Sequence, residues 1–278
     1  MAGKYVSINN QLVLADDAKV GVADLAMHRG YGIFDYFKVV DGRPIFMEDH
    51  FNRFYNSAKE MHLDVSLSRA ELRNAIDEVM ERNNMPNSGI KLLLTGGYSE
   101  DGYKMGRANL IILQYPLSFK EENQVETGLK LATINHQRQL PSIKTIDYLM
   151  AVRLHPFMKE NGFDDVLYHN NGIITECPRA NFWIVSGNEI ITAANNILRG
   201  ITRSKVLDFK VDGYTIVERD LTLDDLTNAQ EAFITSTTQY AYPVAAIDRK
   251  FIGDGKIGLV TRQVKEQLLK LICESNQV

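Results

Sequence analysis

Residues 172–203, GIITECPRANFWIVSGNEIITAANNILRGITR, constrain the fold of this chain more than any other stretch. A short apolar run ends in a single acid, Glu176, and an apolar strand follows it. Further on, Gly200-Ile201-Thr202 places a glycine and a hydroxyl where a helix begins. Strands and a helix start inside one short stretch point to a mixed α+β architecture.

The rest of the chain reads the same way. Tyr5–Ile8 and Gln11–Leu14 form a short hairpin around Asn9-Asn10. Residues 33–40 are rich in aromatic and β-branched side chains and run into Asp41-Gly42, which predicts a strand entering a turn. Phe51, Phe54, Tyr55, Ala58 and Met61 follow helical spacing. Ser68-x-x-Glu71 is a capping box before a second helix with the apolar face Leu72, Ala75, Ile76, Val79 and Met80. Residues 90–95 and 110–113 are strand-like. Between them GGYSEDGYKMGR (96–107) has loop composition, of which a mobile lid is one use.

The charged segment SFKEENQVET (118–127) is poor in apolar residues and reads as a linker. It divides the chain into a small α/β domain (1–118), a linker (119–127) and a larger domain (128–278). The larger domain is expected to hold strands near 129–134, 164–168, 181–185 and 231–235. Helices are expected to begin near 145 and near 201, with a last one over 258–274. A ligand cleft between two such domains is the expected arrangement.

Composition narrows the classes of function. A chain of 278 residues can bury a sizeable core. Lys and Arg number 31 against 35 Asp and Glu, with no basic cluster, so nucleic acid is not an expected partner. No apolar run is long enough for a membrane span, and MAGKYVSINNQ lacks the apolar core of a secretory signal. Cys177 and Cys273 are too few and too far apart for a disulfide framework or a zinc site. A cytoplasmic protein without a structural metal is expected.

Several residues have the makings of a reactive site. Lys144, in LPSIKTIDYLMAV, has Ile143 and Ile146 around it and Tyr148 beyond. A lysine in a desolvated pocket serves as a nucleophilic amine, although the same pattern alone also describes a solvated surface charge. Glu176 is either an exposed strand-end carboxylate or the partner of a pyridine nitrogen. Arg53, one residue from an apolar helix face, either meets solvent or reaches under the helix to a phosphate. Gly200-Ile201-Thr202 and ITSTTQ (234–239) offer a helix start and a strand end, both of which bind anions in other settings. Together these five features suit one ligand with a cationic ring and a phosphate, pyridoxal 5'-phosphate.

At this point the sequence resembles the class IV aminotransferases, the fold-type IV pyridoxal phosphate enzymes. That group includes branched-chain aminotransferases, D-amino acid aminotransferases and aminodeoxychorismate lyases. The resemblance runs from about His28 to Thr261. It is carried in order by HRGYGIFDYFKVVDGRPIFMEDHFNRFYNSA, IKTIDYL, GIITECPRANFWIV, NNILRGITR, ERDLTLDDL and EAFITSTTQYAYPV. It implies a two-domain fold with the cofactor in the interdomain cleft, a homodimer, and amino acid and keto acid substrates. It further implies that Lys144 is the Schiff-base lysine and proton shuttle, and that Glu176 is the partner of the pyridine nitrogen. Arg53, the backbone of Ile201, the backbone and hydroxyl of Thr202, and Thr237 would form the phosphate cup. Tyr148 lies near the place of a tyrosine that meets the cofactor's phenolic oxygen, with the spacing one residue shorter.

The resemblance also bears on substrate. Gly96 stands where D-amino acid enzymes carry a carboxylate-binding arginine. Lys91 stands about where branched-chain enzymes carry theirs, and Phe34 matches a phenylalanine common in the latter. Asp147 replaces the usual asparagine, and Cys177-Pro178-Arg179 departs from a small, glycine- and serine-rich run. Phe34, Lys91, Arg179 and Thr238 are thus the expected substrate-binding residues. The favoured reading is transfer from an L-amino acid, branched-chain or otherwise apolar, to 2-oxoglutarate. The alternatives are aminodeoxychorismate lyase chemistry, a D-amino acid aminotransferase, and a cofactor-binding protein that has lost catalysis. Retention of both Lys144 and Glu176 argues against the last.

Overall fold

The computed structural model describes residues 2–117 and 127–275, which divide into two compact units. The first unit holds residues 2–117 together with 143–147, and the second holds 127–142 and 148–275. Apart from its last residue, the linker expected at 119–127 lies outside the described residues.

The first unit is built on a six-stranded sheet. Its strands are β1 (Tyr5–Ile8), β2 (Gln11–Leu14), β3 (Gly32–Val40), β4 (Arg43–Pro44), β5 (Ser88–Thr95) and β6 (Leu110–Pro116). They lie in the order β2-β1-β6-β5-β3-β4, and every pair is antiparallel. Asn9 and Asn10 turn the β1–β2 hairpin with φ of 51° and 64°, as a tight two-residue turn requires. The helices are α1 (Leu25–Arg29), α2 (Met47–Glu60) and α3 (Arg69–Asn83). Both halves of the capping box form at the start of α3, with Ser68 Oγ accepting from Glu71 N–H and Glu71 Oε2 accepting from Ser68 N–H. Alternation along β3 sends Ile33, Phe37 and Val39 into one core with Phe51 and Phe54 of α2 and Leu72 and Ile76 of α3.

Asp24 ties the ends of this sheet together. It is fully buried (0% exposed). Its Oδ1 caps α1 by accepting from Ala26 N–H at 2.8 Å. Oδ2 accepts from Thr95 Oγ1 at 2.6 Å and from Asn109 Nδ2 at 2.7 Å. The glycine-rich loop after β5 therefore leaves and returns at one buried acid. Gly97 in that loop has φ +73°, and a Cβ there would sit 2.0 Å from Arg107 O.

The second unit has an 11-stranded mixed sheet. Its strands are β7 (Leu129–Asn135), β8 (Asp165–Asn170), β9 (Ile173–Ile174), β10 (Glu176–Cys177), β11 (Ala180–Ser186), β12 (Glu189–Ala193), β13 (Thr215–Arg219), β14 (Leu221–Thr222), β15 (Glu231–Ser236), β16 (Tyr240–Ile247) and β17 (Lys250–Phe251). The main path is β13-β12-β11-β15-β16-β7-β8-β9-β14, with β10 on β11 and β17 on β16. Helices α4 (Leu149–Asn161), α5 (Ile201–Leu207) and α6 (Leu259–Ser275) complete it. β11 is apolar without alternation because both its faces are covered. Phe182 and Ile184 join one core, while Trp183 joins another with Val260, Val264 and Leu268 of α6. Among the described residues no helix is long and apolar enough to cross a membrane.

One helix starts later than its sequence suggests. The helix expected near 145 begins at Leu149. Ahead of it the chain is extended along the edge of β3, where Phe34 N–H donates to Lys144 O and Ile146 N–H donates to Gly32 O. β4 covers only the far end of that edge, at Val39 and Val40, so residues 144–146 satisfy backbone groups that helix formation there would leave unpaired. This places 143–147, which the sequence reading assigns to the second domain, with the first unit.

Asp24→Ala would leave Thr95 Oγ1 and Asn109 Nδ2 buried without their acceptor. A loss of about 3 kcal/mol in unfolding free energy is expected by denaturant titration. A loss under roughly 0.5 kcal/mol would show that Asp24 does not hold this end of the sheet.

Candidate active site

β3 presents two different faces. Ile33, Asp35 and Phe37 face the helical side, whereas Phe34, Tyr36 and Lys38 alternate onto the other. Asp35 is 0% exposed and is met by two side chains of α2. Arg53 donates from Nε to Oδ2 at 2.8 Å and from Nη2 to Oδ1 at 2.7 Å. His50 Nδ1 lies 2.7 Å from Oδ1, which assigns its ring proton to that nitrogen. Burial alone would push the Asp35 carboxyl up, but the Arg53 guanidinium and then His50 outweigh it and hold the carboxyl well below its ordinary range. Burial is also the largest influence on His50 and lowers it, against the opposing pull of Asp35. Arg53, expected at a phosphate, is thus anchored through one edge of its guanidinium to Asp35.

On the other face two amines converge on one ring. Lys144 Nζ lies 4.5 Å from the centroid of Phe34, and Lys91 Nζ lies 5.0 Å from the same centroid. Lys91 sits on β5 directly across from Tyr36, and burial lowers its amine. Tyr36 lies over Gly89, where a Cβ would be 1.8 Å from the tyrosine hydroxyl. Lys38, also on this face, is buried, and burial lowers its amine to about 8. Sequence reasoning passed over Asp35, Tyr36 and Lys38. A lone acid within the apolar run GIFDYF and a glycine inside the β5 run were the available signals.

The second unit carries its own cluster. Glu176, at the start of β10, is 5% exposed. Its Oε1 accepts from Arg138 Nε at 2.9 Å, and its Oε2 accepts from Leu198 N–H at 3.0 Å. The other side of Leu198 is also held, since its carbonyl accepts from Asn181 Nδ2 at 2.8 Å. Asn181 stands opposite Glu176 in the β10–β11 pair. This loop delivers the chain to Gly200, where a Cβ would fall 2.3 Å from Asn181 Oδ1. α5 then begins at Ile201 with no side chain capping it, leaving its first N–H groups directed out of the helix end. Ile201 and Thr202 are both buried. Arg203 is a structural anchor: it is buried, donates to Ala193 O and pairs with Glu218.

The remaining expected residues lie at the margins of these elements. Thr237 is half-buried and Thr238 exposed in the turn between β15 and β16, where Ser236 Oγ accepts from Gln239 N–H. Arg179 is exposed in the β10–β11 turn. Tyr148 is half-buried at the first position before α4. Arg138 was not foreseen, and nothing in its local sequence, NHQRQLPS, distinguishes it from a surface arginine.

The Asp35 cluster has a defined response to acid. His50 is neutral in the folded chain and takes up a proton on unfolding, so stability falls as pH drops below His50's ordinary 6.5. Asp35 adds a second loss as pH drops below its ordinary 3.8. Thermal melts are expected to show a lower Tm at pH 5.5 than at pH 7.5, with a smaller difference in His50→Gln. A wild-type Tm that rises on acidification would contradict a neutral, buried His50.

The sequence pattern of the family described as Amino-transferase class IV matches residues 32–247. A Methanocaldococcus jannaschii protein provisionally assigned as a branched-chain-amino-acid aminotransferase is 30% identical over 274 residues, covering 94% of each chain. The D-alanine aminotransferase of Staphylococcus haemolyticus is also 30% identical over 274 residues, covering 96% of this chain and 97% of that one. Among solved structures, the branched-chain amino acid aminotransferase of Escherichia coli matches with a TM-score of 0.89 at 25% identity, over 97% of this chain and 95% of the other. With the family pattern spanning both units and relatives aligned over nearly their whole length, this chain belongs to the class IV aminotransferases.

Proposed function

We propose that this chain is a cytoplasmic, pyridoxal 5'-phosphate-dependent aminotransferase that moves the amino group of an L-amino acid with a branched-chain or other apolar side chain to 2-oxoglutarate. The Phe34 ring, with the Lys144 and Lys91 amines at 4.5 and 5.0 Å from its centroid, carries this reading. An aromatic ring beside two amines suits an apolar side chain, with one amine for chemistry and one for a carboxylate, and supports the reading.

The donor chemistry suits the cofactor. Glu176 is a buried, acceptor-only group with both oxygens oriented, as a protonated ring nitrogen requires. The uncapped first turn of α5, with the hydroxyls of Thr202 and Thr237, has the chemistry of a phosphate site, to which Arg53 would add a guanidinium. Tyr148 would meet the phenolic oxygen, and Lys144 would hold the group covalently as a Schiff base. When bound, the cofactor supplies an electron sink for the charge left as the substrate's α-C–H bond breaks.

The chain's own residues do the rest. Lys144 Nζ would be the base that takes the substrate's α-proton and the acid that returns it. Because the lysine is already in place, the transfer avoids much of the entropic cost of a bimolecular step. Glu176 would hold a proton on the ring nitrogen. Lys91 pairs with a substrate carboxylate as a point charge, without the planar fork of an arginine. Arg179 and Thr238 would border the substrate.

D-Alanine as donor is the second reading, favoured by the D-alanine aminotransferase at equal identity. Adding each amino acid to the purified holoenzyme separates them. L-Leucine is expected to bleach the cofactor's visible band to the pyridoxamine form while D-alanine does not. The opposite result would assign a D-amino donor, and a band unmoved by either would favour the lyase alternative. Lys144→Ala is expected to lower turnover at least about 100-fold with cofactor still bound noncovalently. Undiminished turnover would remove Lys144 from the mechanism.

We also propose a homodimer. α4 buries none of its residues although Leu149, Val152 and Phe157 are apolar and exposed. Sedimentation is expected to give twice the chain mass, and Leu149→Glu to shift it toward monomer. A monomeric wild-type protein would reject this assignment.

A further inference from the structure

We infer that Arg138 is a positioning residue that fixes the carboxylate of Glu176 to the 138–141 turn of the second unit. This rests on the role proposed above for Glu176. Arg138 is nearly buried, with a side chain 17% exposed against 6% for Glu176. Its guanidinium bonds in two directions. Nε donates to Glu176 Oε1 at 2.9 Å, while Nη2 donates to the carbonyl of Pro141, three residues before Lys144.

The neighbours of Arg138 make the link stiff. Leu198 N–H takes the second oxygen of Glu176, so the carboxylate is pinned at both oxygens and cannot rotate freely. Gln137 Nε2 donates to Asn196 O at 3.3 Å, which fastens the chain beside Arg138 to the same loop that holds Leu198. Residues 137–141 therefore form a strap attached to the 196–198 loop and to the Glu176 carboxylate, and closed on itself by the Arg138–Pro141 bond.

The planar guanidinium is what makes this strap possible. Two of its N–H groups diverge in a fixed plane and carry a charge-assisted bond and a carbonyl bond together. A lysine supplies the charge at one point but not the second, rigidly related donor. Arg138 thus sets the orientation in which Glu176 would meet a ring nitrogen. It does so without touching substrate.

The test uses holoenzyme reconstituted with pyridoxal 5'-phosphate in wild type, Arg138→Gln, Arg138→Lys, Glu176→Gln and the Arg138→Gln/Glu176→Gln double variant. The readouts are the pH midpoint of the bound cofactor's visible band, and kcat and KM for L-leucine. Losing a partner that orients a reactive group typically lowers activity about 10- to 100-fold. Arg138→Gln is therefore expected to lower kcat by about that factor with KM changed less than about threefold, and to move the spectral midpoint. Arg138→Lys is expected to recover only a minor part of either effect. In the Glu176→Gln background, Arg138→Gln is expected to move the midpoint no further, because the coupling is already broken.

Full recovery in Arg138→Lys would overturn the inference by showing that charge alone suffices. An undiminished midpoint shift in the Glu176→Gln background would overturn it by showing that Arg138 does not act through Glu176. A wild-type protein that takes up no pyridoxal 5'-phosphate would instead reject the proposed function. A normal wild type with an unaltered Arg138→Gln would reject this inference alone.

Discussion

A carboxylate removed from water must be met by donors, and three such carboxylates organise this chain. Asp24 gathers a helix cap, a threonine and an asparagine at the mouth of the glycine-rich loop. Asp35 gathers Arg53 and His50 on the helical side of β3 in the first sheet. Glu176 gathers Arg138 and the Leu198 amide in the second unit. Each carboxylate is accommodated in the interior because its partners include residues of other chain segments, and each therefore fixes those segments to one another. Removing one partner would leave a buried group uncompensated, a larger effect than losing an exposed ion pair.

The same logic separates structural from reactive positions. Arg203 is almost fully buried, yet its bonds run to a strand carbonyl and to Glu218, and it serves the frame. Arg53 is a mixed case, with one edge of its guanidinium on Asp35 and the other not needed by that carboxylate. The amines of Lys91 and Lys144 meet on the ring of Phe34, on the strand face opposite Asp35. Burial lowers the Lys91 amine, as it does that of Lys38, so an anion arriving on this face would favour their charged forms.

Much of the secondary structure was legible because its signals are local. The Asn9-Asn10 turn, the Ser68 capping box and the helix starting at Ile201 all appear at or within a residue of where the sequence places them. The helix expected from 145 shows the limit. IKTIDYLMAV carries apolar residues at helical spacing, but the backbone of 144–146 pairs with Gly32 and Phe34 instead. A partner more than a hundred residues away in sequence is invisible to any local pattern, and it decides whether Lys144 lies on a helix or along a strand.

What the sequence determined by itself was the kind of protein: a mixed α+β chain, its family, and a short set of candidates including Lys144 and Glu176. Those follow from residue type, order and spacing, which are properties of the chain. What only the tertiary structure decided was the company each residue keeps. Arg138 is an ordinary arginine in its own stretch and becomes significant because folding brings it to Glu176. Asp35 is an oddity in an apolar strand until α2 lays two cationic or hydrogen-bonding groups across it. Electrostatics and hydrogen bonding act over a few ångströms through space, so the chemistry of a buried group is set by neighbours that the linear order does not name.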